Sequence, residues 1–182
     1  MKRLILLLGL LSLIACGEPE PRRPIKSSGG SFLKESVERN KQLLALEETR
    51  IKEIIAMDST NVYLASGNGS WYFYKNRNEE GILAEPEDLV TLSYDILTLE
   101  NDTIYSMEEI GVIQYKVDKQ ELFPGLRNSV KLLRENEIAT FLYTSPMAYG
   151  YMGDKDRIGP NVPVKTTIQI LNIEKSKDQI DE

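Results

Sequence analysis

The sequence contains no histidine, and its single cysteine is Cys16. Hydrolases that activate a serine or cysteine nucleophile through histidine are therefore excluded. Zinc sites built from histidine or from several thiolates are excluded for the same reason. A lone cysteine also leaves no partner for a disulfide within the chain, so the fold depends on its apolar core.

Positive charge is in the minority, with 22 Lys and Arg residues against 28 Asp and Glu residues and a net charge of −6. Without a basic stripe, we expect no binding to nucleic acid. Acidic pairs such as Asp154 and Asp156 lie in polar, turn-like stretches. This context indicates solvated surface, whereas a glycosidase needs one carboxyl group in an apolar pocket. We expect no metal ion and no cofactor, since no calcium-loop or phosphate-loop pattern is present.

The longest apolar run near the start, residues 4–14, is too short for a membrane-spanning helix of about 20 residues. It follows a positive start and ends in the pattern of a bacterial lipoprotein signal, Leu13-Ile14-Ala15-Cys16. We expect residues 1–15 to be a signal peptide and Cys16 to carry the lipid. The protein would then be anchored in the bacterial cell envelope, at the outer membrane, because Gly17 lacks the aspartate cue for inner-membrane retention. A buried thiol and a plain secreted protein are the alternatives.

A proline- and glycine-containing stretch over residues 16–31 predicts a flexible tether. An amphipathic helix is predicted next, over Phe32–Met57 with Ser31 as its N-cap. Its apolar stripe consists of Leu33, Val37, Leu44, Ile51, Ile54 and Ile55, with Asn40 and Glu47 interrupting it. Packing on the protein's own domain is favoured over a dimer helix, because the polar interruptions spoil a continuous heptad seam.

The remainder of the chain has the pattern of several strands and one short helix. A hairpin is expected at Asn61–Lys75 and the short helix at Gly125–Arg134. Further strands are expected at Glu87–Leu97, Thr103–Tyr105, Val112–Val117, Glu137–Tyr143 and Val164–Ile173. This order predicts an α+β fold with an antiparallel sheet.

Four segments of the last third occur in a characteristic order and spacing. They are Pro124-Gly125 at the start of the helix, Ala148-Tyr149-Gly150, Ile158-Gly159-Pro160, and a final apolar strand that ends at Ile173. Together they resemble the FKBP-type peptidyl-prolyl isomerases, over residues 88–173 and more weakly over residues 31–37. The likeness is strongest to the gliding-motility-associated FKBP-type lipoproteins of gliding bacteria.

The resemblance implies an FKBP-like antiparallel sheet wrapped on a short helix, with an extra N-terminal amphipathic helix. The isomerase domain would span residues 87–173. A helix and hairpin extension would occupy residues 32–86, and a charged tail would occupy residues 174–182. Prolyl isomerisation requires no nucleophile, because an apolar cleft with one hydrogen-bond donor can favour the twisted amide over the planar one.

The resemblance also assigns the site residues. The catalytic set is Tyr149, whose hydroxyl would donate to the substrate carbonyl, together with Tyr94, Phe123 and Ile158. The substrate-binding set is Leu122, Leu126, Ile104, Tyr105 and Thr166. Three of these depart from the family: Leu126 replaces a tryptophan, Tyr105 an aspartate and Thr166 a phenylalanine. For each aromatic residue of the set, plain core packing is the alternative.

Three functions remain open. The first is an envelope isomerase that acts on X–Pro bonds of client proteins and supports assembly of gliding-motility components. The second is a catalytically weak or inactive chaperone that binds proline-containing segments in the same cleft, which the three departures favour. The third is a structural lipoprotein whose working surface is the helix at Phe32–Met57. A fold alone does not decide among them.

Overall fold

The computed structural model describes residues 29–176, with side chains from residue 33 onward. The predicted signal peptide, Cys16, most of the predicted tether and most of the charged tail lie outside the described residues. The chain divides into two compact units, residues 1–37 and residues 38–182. None of the helices described is both long and apolar enough to cross a bilayer.

The helices are α1 at Gly29–Met57, α2 at Met107–Ile110 and α3 at Pro124–Val130. The strands are β1 at Leu64–Ala65, β2 at Ser70–Asn76, β3 at Leu89–Tyr94, β4 at Ile96–Leu97, β5 at Thr103–Tyr105, β6 at Ile113–Lys116, β7 at Ile138–Tyr143 and β8 at Val164–Glu174. Two 3-10 turns, at Ser145–Met147 and Gly150–Met152, follow β7.

Within the described residues, eight strands form one antiparallel sheet. The order is β1-β2-β7-β8-β3-β6, and β4 pairs with β8 and β5. Strands β7 and β8 lie at its centre, with Phe141 opposite Thr166 and Tyr143 opposite Val164. The predicted α+β class with an antiparallel sheet is confirmed.

The inner face of the sheet is covered by α3. Leu126 and Val130 of α3 have no exposed surface, and Ala139, Phe141 and Tyr143 of β7 are equally buried. The alternation along β7 follows from the two-residue period of a strand, which directs every second side chain to the same face. Each fully buried large side chain contributes about 1.5–3 kcal/mol, so this face supplies most of the core.

The outer face carries a second, smaller apolar cluster, to which α1 contributes. Ile51 is completely buried against Leu99 and Leu142, and Ile54, Ile55, Tyr63 and Trp71 surround these three. The C-terminal half of the α1 stripe therefore packs on the protein's own sheet, as predicted. Farther toward the N-terminus, Leu33, Val37 and Leu46 stay exposed.

Three predicted boundaries were wrong. Helix α1 begins at Gly29, so Ser31 lies inside the helix and is not its N-cap. Helix α3 ends at Val130 because the chain then turns to bridge Arg134 with Leu83. The strand expected over Glu87–Leu97 divides at Asp95, whose carboxylate accepts the Thr167 N–H at 2.6 Å in place of a regular ladder bond.

Candidate active site

Tyr149 lies on the loop between the central strands β7 and β8. The first 3-10 turn brings the chain out of β7, and Tyr149 precedes the second turn. Gly150 has φ of 62°, a left-handed conformation that glycine adopts at no steric cost. The loop is closed by the Asn161 N–H, which donates to the Gly150 carbonyl at 2.8 Å. The backbone therefore fixes where the Tyr149 ring leaves the loop.

Four aromatic rings from four different segments meet beneath this loop. The ring centroid of Phe123, at the start of α3, lies 5.1 Å from that of Tyr149, 5.7 Å from that of Tyr143 and 6.5 Å from that of Tyr94. Phe123 is the centre of the group and is 8% exposed. The edge-to-face and tilted geometries are those that aromatic pairs prefer. Three of the four predicted catalytic residues are thus brought together.

The hydroxyl of Tyr149 is free to act as a donor. Among residues 29–176 it makes no hydrogen bond, and it is not one of the fully buried side-chain atoms without a partner. Burial of the ring, followed by the nearby Tyr94 and Asp154, raises the pKa of Tyr149 above its ordinary value. The phenol therefore stays protonated at neutral pH and offers its proton to an acceptor that enters from solvent.

Aliphatic side chains pack against the same aromatic group. Ile158 is 2% exposed and belongs to the same core cluster as Phe123. Leu122 and Ile104 are partly buried and pack against that cluster. The N–H of Ile158 donates to Asp154 Oδ1 at 2.8 Å, which holds the second half of the loop over the rings. The cluster therefore combines aromatic and aliphatic side chains with the hydroxyls of Tyr149 and Tyr94, neither of which makes a hydrogen bond within residues 29–176.

Tyr105 contributes a hydroxyl that is already engaged. It donates to Asp154 Oδ2 at 2.6 Å and to Asp156 Oδ2 at 3.2 Å. The hydrogen bond to Asp154 is the main reason that the pKa of Tyr105 is raised to about 12. The guanidinium of Arg157 lies 4.7 Å from the centre of the Tyr105 ring and pairs with Glu109. Asp154 thus places a carboxylate directly at the Tyr105 hydroxyl.

Comparison with known proteins shows the family of this chain. The model of the FKBP-type peptidyl-prolyl cis-trans isomerase family matches residues 81–171. The chain belongs to this family. A probable FKBP-type isomerase, FkpA of Neisseria meningitidis serogroup B, is 28% identical over 127 residues, which cover 69% of this chain and 44% of that relative. The match therefore spans less than half of the relative's length.

Two solved structures share the FKBP-type fold with this chain. FkpA from Escherichia coli superposes with a TM-score of 0.60 at 15% identity, over 96% of this chain and 83% of that one. The N-terminal domain of FKBP42 from Arabidopsis thaliana gives a TM-score of 0.58 at 14% identity, over 65% of this chain and 96% of that one. At these identities the similarity concerns the fold alone.

Two predicted substrate-binding residues of this FKBP-type chain lie beneath the surface. Leu126 and Thr166 have no exposed area, so a direct contact of either with substrate stays a prediction. Thr166 lies on the β8 face that also carries the buried Val164 and Ile168. Its hydroxyl is the one buried side-chain polar atom without a hydrogen-bond partner in the described part of the chain.

A pocket of about 140 Å³ lies between α1 and the loop, and none of the four rings lines it. Its lining comes from α1 and from the loop: Asn40, Leu43, Leu44, Glu47, Ser145, Pro146, Gly150, Tyr151 and Asn161. Sequence patterns did not assign a role to Asp154, which they placed on solvated surface, or to Glu47. Glu47 could have been recognised as a candidate because it interrupts the apolar stripe of α1. No sequence pattern distinguished Asp154 from ordinary surface residues.

Proposed function

We propose that this chain catalyses cis–trans isomerisation of X–Pro bonds in client proteins. Membership of the FKBP-type family supports the reaction class, and the free hydroxyl of Tyr149 beside Phe123 and Tyr94 is the observation that carries the proposal. The barrier to rotation arises because the amide nitrogen loses its conjugation with the carbonyl group in the twisted transition state. A site that binds the twisted amide more tightly than the planar one therefore lowers this barrier. A proline ring against Phe123 and Ile158, with its carbonyl near Tyr149, would be held in that state away from bulk water.

The proposal is tested by exchanging Tyr149 for phenylalanine. This change keeps the ring and its packing but removes the donor. We expect kcat/KM on a short X–Pro peptide to fall about tenfold, the factor that corresponds to ~1.4 kcal/mol of lost transition-state stabilisation. The measurement is a protease-coupled peptide assay, together with refolding of a test protein whose slow step is proline isomerisation.

Tyr151→Phe is the matched control, because Tyr151 lies two residues farther along the same loop and is 75% exposed. Its activity should equal that of the wild type. A wild-type protein that leaves both assays unaccelerated at stoichiometric concentration would end the catalytic proposal. Equal losses in the two variants would show that the Tyr149 hydroxyl has no special part in the reaction.

Binding without turnover is the second candidate. It is favoured by the burial of Leu126 and Thr166 and by the engagement of the Tyr105 hydroxyl with Asp154, which leave the site different from the family pattern. A chaperone of this kind would suppress aggregation of a proline-containing client while peptide isomerisation stays at the uncatalysed rate. Unchanged aggregation would rule it out.

The cellular setting is part of the proposal. The signal-like start and the pattern that ends at Cys16 support a lipid anchor in the cell envelope. Under this proposal the domain faces the periplasm or the cell exterior, at the outer membrane. Its clients would be envelope proteins, including components of the gliding machinery, as the similarity to gliding-motility-associated FKBP-type lipoproteins suggests. Our proposal for the clients and the membrane location of the whole protein rests on these sequence features.

A further inference from the structure

Glu47 is a charged residue on the apolar side of α1. It lies one turn before Ile51, which is completely buried against Leu99 and Leu142. A carboxylate on this side of a helix requires a partner, since a half-buried charge without one is costly. Both of its oxygens find a partner in the same residue, Ser145.

The contact between Glu47 and Ser145 is bidentate. The Ser145 N–H donates to Glu47 Oε2 at 2.7 Å, and the Ser145 hydroxyl donates to Glu47 Oε1 at 2.7 Å. Both distances are typical of hydrogen bonds to an ionised acceptor, which are about twice as strong as neutral ones. Ser145 itself is 3% exposed, so water competes poorly for these donors.

This contact supplies a cap that the loop does not provide for itself. Ser145 begins the first 3-10 turn, and Thr144 at the preceding position makes no side-chain bond to the turn. The Thr144 hydroxyl instead donates to the Gly69 carbonyl at 3.1 Å. The Ser145 N–H would otherwise lack an acceptor, as the first N–H groups of helical turns do. Glu47 therefore caps the turn from another part of the chain.

The capped turn leads directly to Tyr149. Within the turn the Ala148 N–H donates to the Ser145 carbonyl at 3.0 Å, and Ala148 is 3% exposed. The turn also presses on the start of α3, because a Cβ atom at Gly125 would lie only 2.7 Å from the Met147 carbonyl oxygen. A shift at Ser145 would therefore be passed to the Tyr149 ring.

Both hydrogen bonds that join α1 to the loop within residues 33–176 at this point are made by Glu47. A pocket of about 140 Å³ lies between them, bounded by Leu43 and Leu44 on the helix and by Pro146 and Tyr151 on the loop. Because the interface is open beside the carboxylate, packing does not substitute for the two hydrogen bonds if they are lost. Glu47 thus provides the main specific link between this turn of α1 and the loop.

We propose that Glu47 is a positioning residue for the isomerase site and acts through Ser145 on Tyr149. The inference rests on the proposed function for its kinetic consequence, while its structural part is independent of catalysis. It also gives a role to α1, which lies before the segment that the family model matches, residues 81–171. The helix would hold the donor of the active site in place, in addition to packing on the sheet.

The test compares Glu47→Ala and Glu47→Gln with the wild-type protein. We expect kcat to fall about threefold to tenfold in Glu47→Ala with KM nearly unchanged, because a displaced donor affects the transition state more than substrate binding. Glu47→Gln keeps one acceptor oxygen and should retain part of the lost rate. Adding Ser145→Ala to Glu47→Ala should cost nothing more, since both changes remove the same contact.

Glu48→Ala is the matched control. Glu48 is the next residue of α1 and pairs with Lys52 on the helix surface at 3.3 Å, so it carries the same charge and helix propensity without touching the loop. It should leave both kcat and KM unchanged. A similar loss of kcat in Glu48→Ala would mean that any disturbance of α1 acts on the site, and the inference would be overturned.

Two readouts do not depend on catalysis. In Glu47→Ala the Ser145 amide should exchange with solvent at least tenfold faster, and the NMR signals of the Tyr149 ring should shift. If the wild-type protein is catalytically silent, the proposed function fails, and these two readouts alone decide the inference. Faster exchange at Ser145 with an unchanged Tyr149 ring would overturn it, because Glu47 would then act on the turn only.

Discussion

Replacing Thr166 with valine is expected to stabilise this protein. Thr166 lies in the central strand β8, directly opposite Phe141 of β7, and has no exposed surface. Its hydroxyl has no hydrogen-bond partner within residues 29–176. Valine has nearly the same shape, so the exchange replaces an unsatisfied hydroxyl with a methyl group in an apolar environment.

The size of the effect follows from the two groups exchanged. A buried hydroxyl without a partner costs about 1–3 kcal/mol relative to solvent, and a buried methyl group contributes about 0.8 kcal/mol. Allowing for some relaxation around Thr166, we expect the free energy of unfolding to rise by about 1–2 kcal/mol. For a domain of this size the corresponding rise in Tm is about 3–6 °C.

The assay is urea unfolding followed by the fluorescence of Trp71, the sole tryptophan in the sequence. Thr167→Val is the matched control, because Thr167 is adjacent in the same strand but its hydroxyl shares a 3.0 Å hydrogen bond with Thr140. That variant should lose about 1 kcal/mol. A Thr166→Val protein that is less stable than the wild type would refute the reasoning, since the hydroxyl would then have a stabilising partner.

Two further predictions concern the buried carboxylate of Asp88 and the proposed lipid anchor at Cys16. Burial alone raises the pKa of Asp88, but hydrogen bonds from the backbone N–H groups of Glu85 and Ser176 and from Lys175 lower it overall. Its stabilising effect is therefore present above about pH 4 and lost as the pH falls through the lowered value. Asp88→Asn should cost about 2 kcal/mol at pH 7 and flatten the acid unfolding curve, and an unaltered curve would contradict this. Under the proposed lipid anchor and gliding role, Cys16→Ser should release the protein from the membrane fraction and impair colony spreading of the cells that produce it. Continued membrane association would refute the lipid anchor, and normal spreading would argue against the gliding role.

Much of the fold could be predicted from local patterns. Alternating apolar residues such as Val90 and Leu92 indicated a strand with one buried face, and both side chains are fully buried. The boundaries were less predictable, because they depend on contacts with distant segments. Asp95 divides the strand expected over Glu87–Leu97 by accepting the N–H of Thr167, and no pattern near Asp95 reveals that partner.

The candidate site was predictable in composition but not in its polar contacts. The resemblance indicated three of the four rings that gather, those of Tyr149, Tyr94 and Phe123, whereas Tyr143 was not among the predicted site residues. The sequence did not reveal which tyrosine hydroxyls form hydrogen bonds, because their partners come from distant segments that only the fold brings close. The Tyr105 hydroxyl is taken by Asp154, which is 49 residues away in the sequence. Asp154 and Asp156 lie in a polar, turn-like stretch of the sequence, which indicated solvated surface and not a contact with Tyr105.

The amino-acid sequence by itself excluded nucleophilic hydrolysis that is activated by histidine, because the chain contains none. It also determined which apolar side chains face the core, through the periodicity of strands and helices. Tertiary structure decided the hydrogen bonding, which leaves the Tyr149 hydroxyl without a partner among residues 29–176 and joins Glu47 to Ser145 across 98 residues. The physical reason is that burial follows the local spacing of residues, whereas a directional bond forms only where the packed fold brings a donor within about 3 Å of an acceptor.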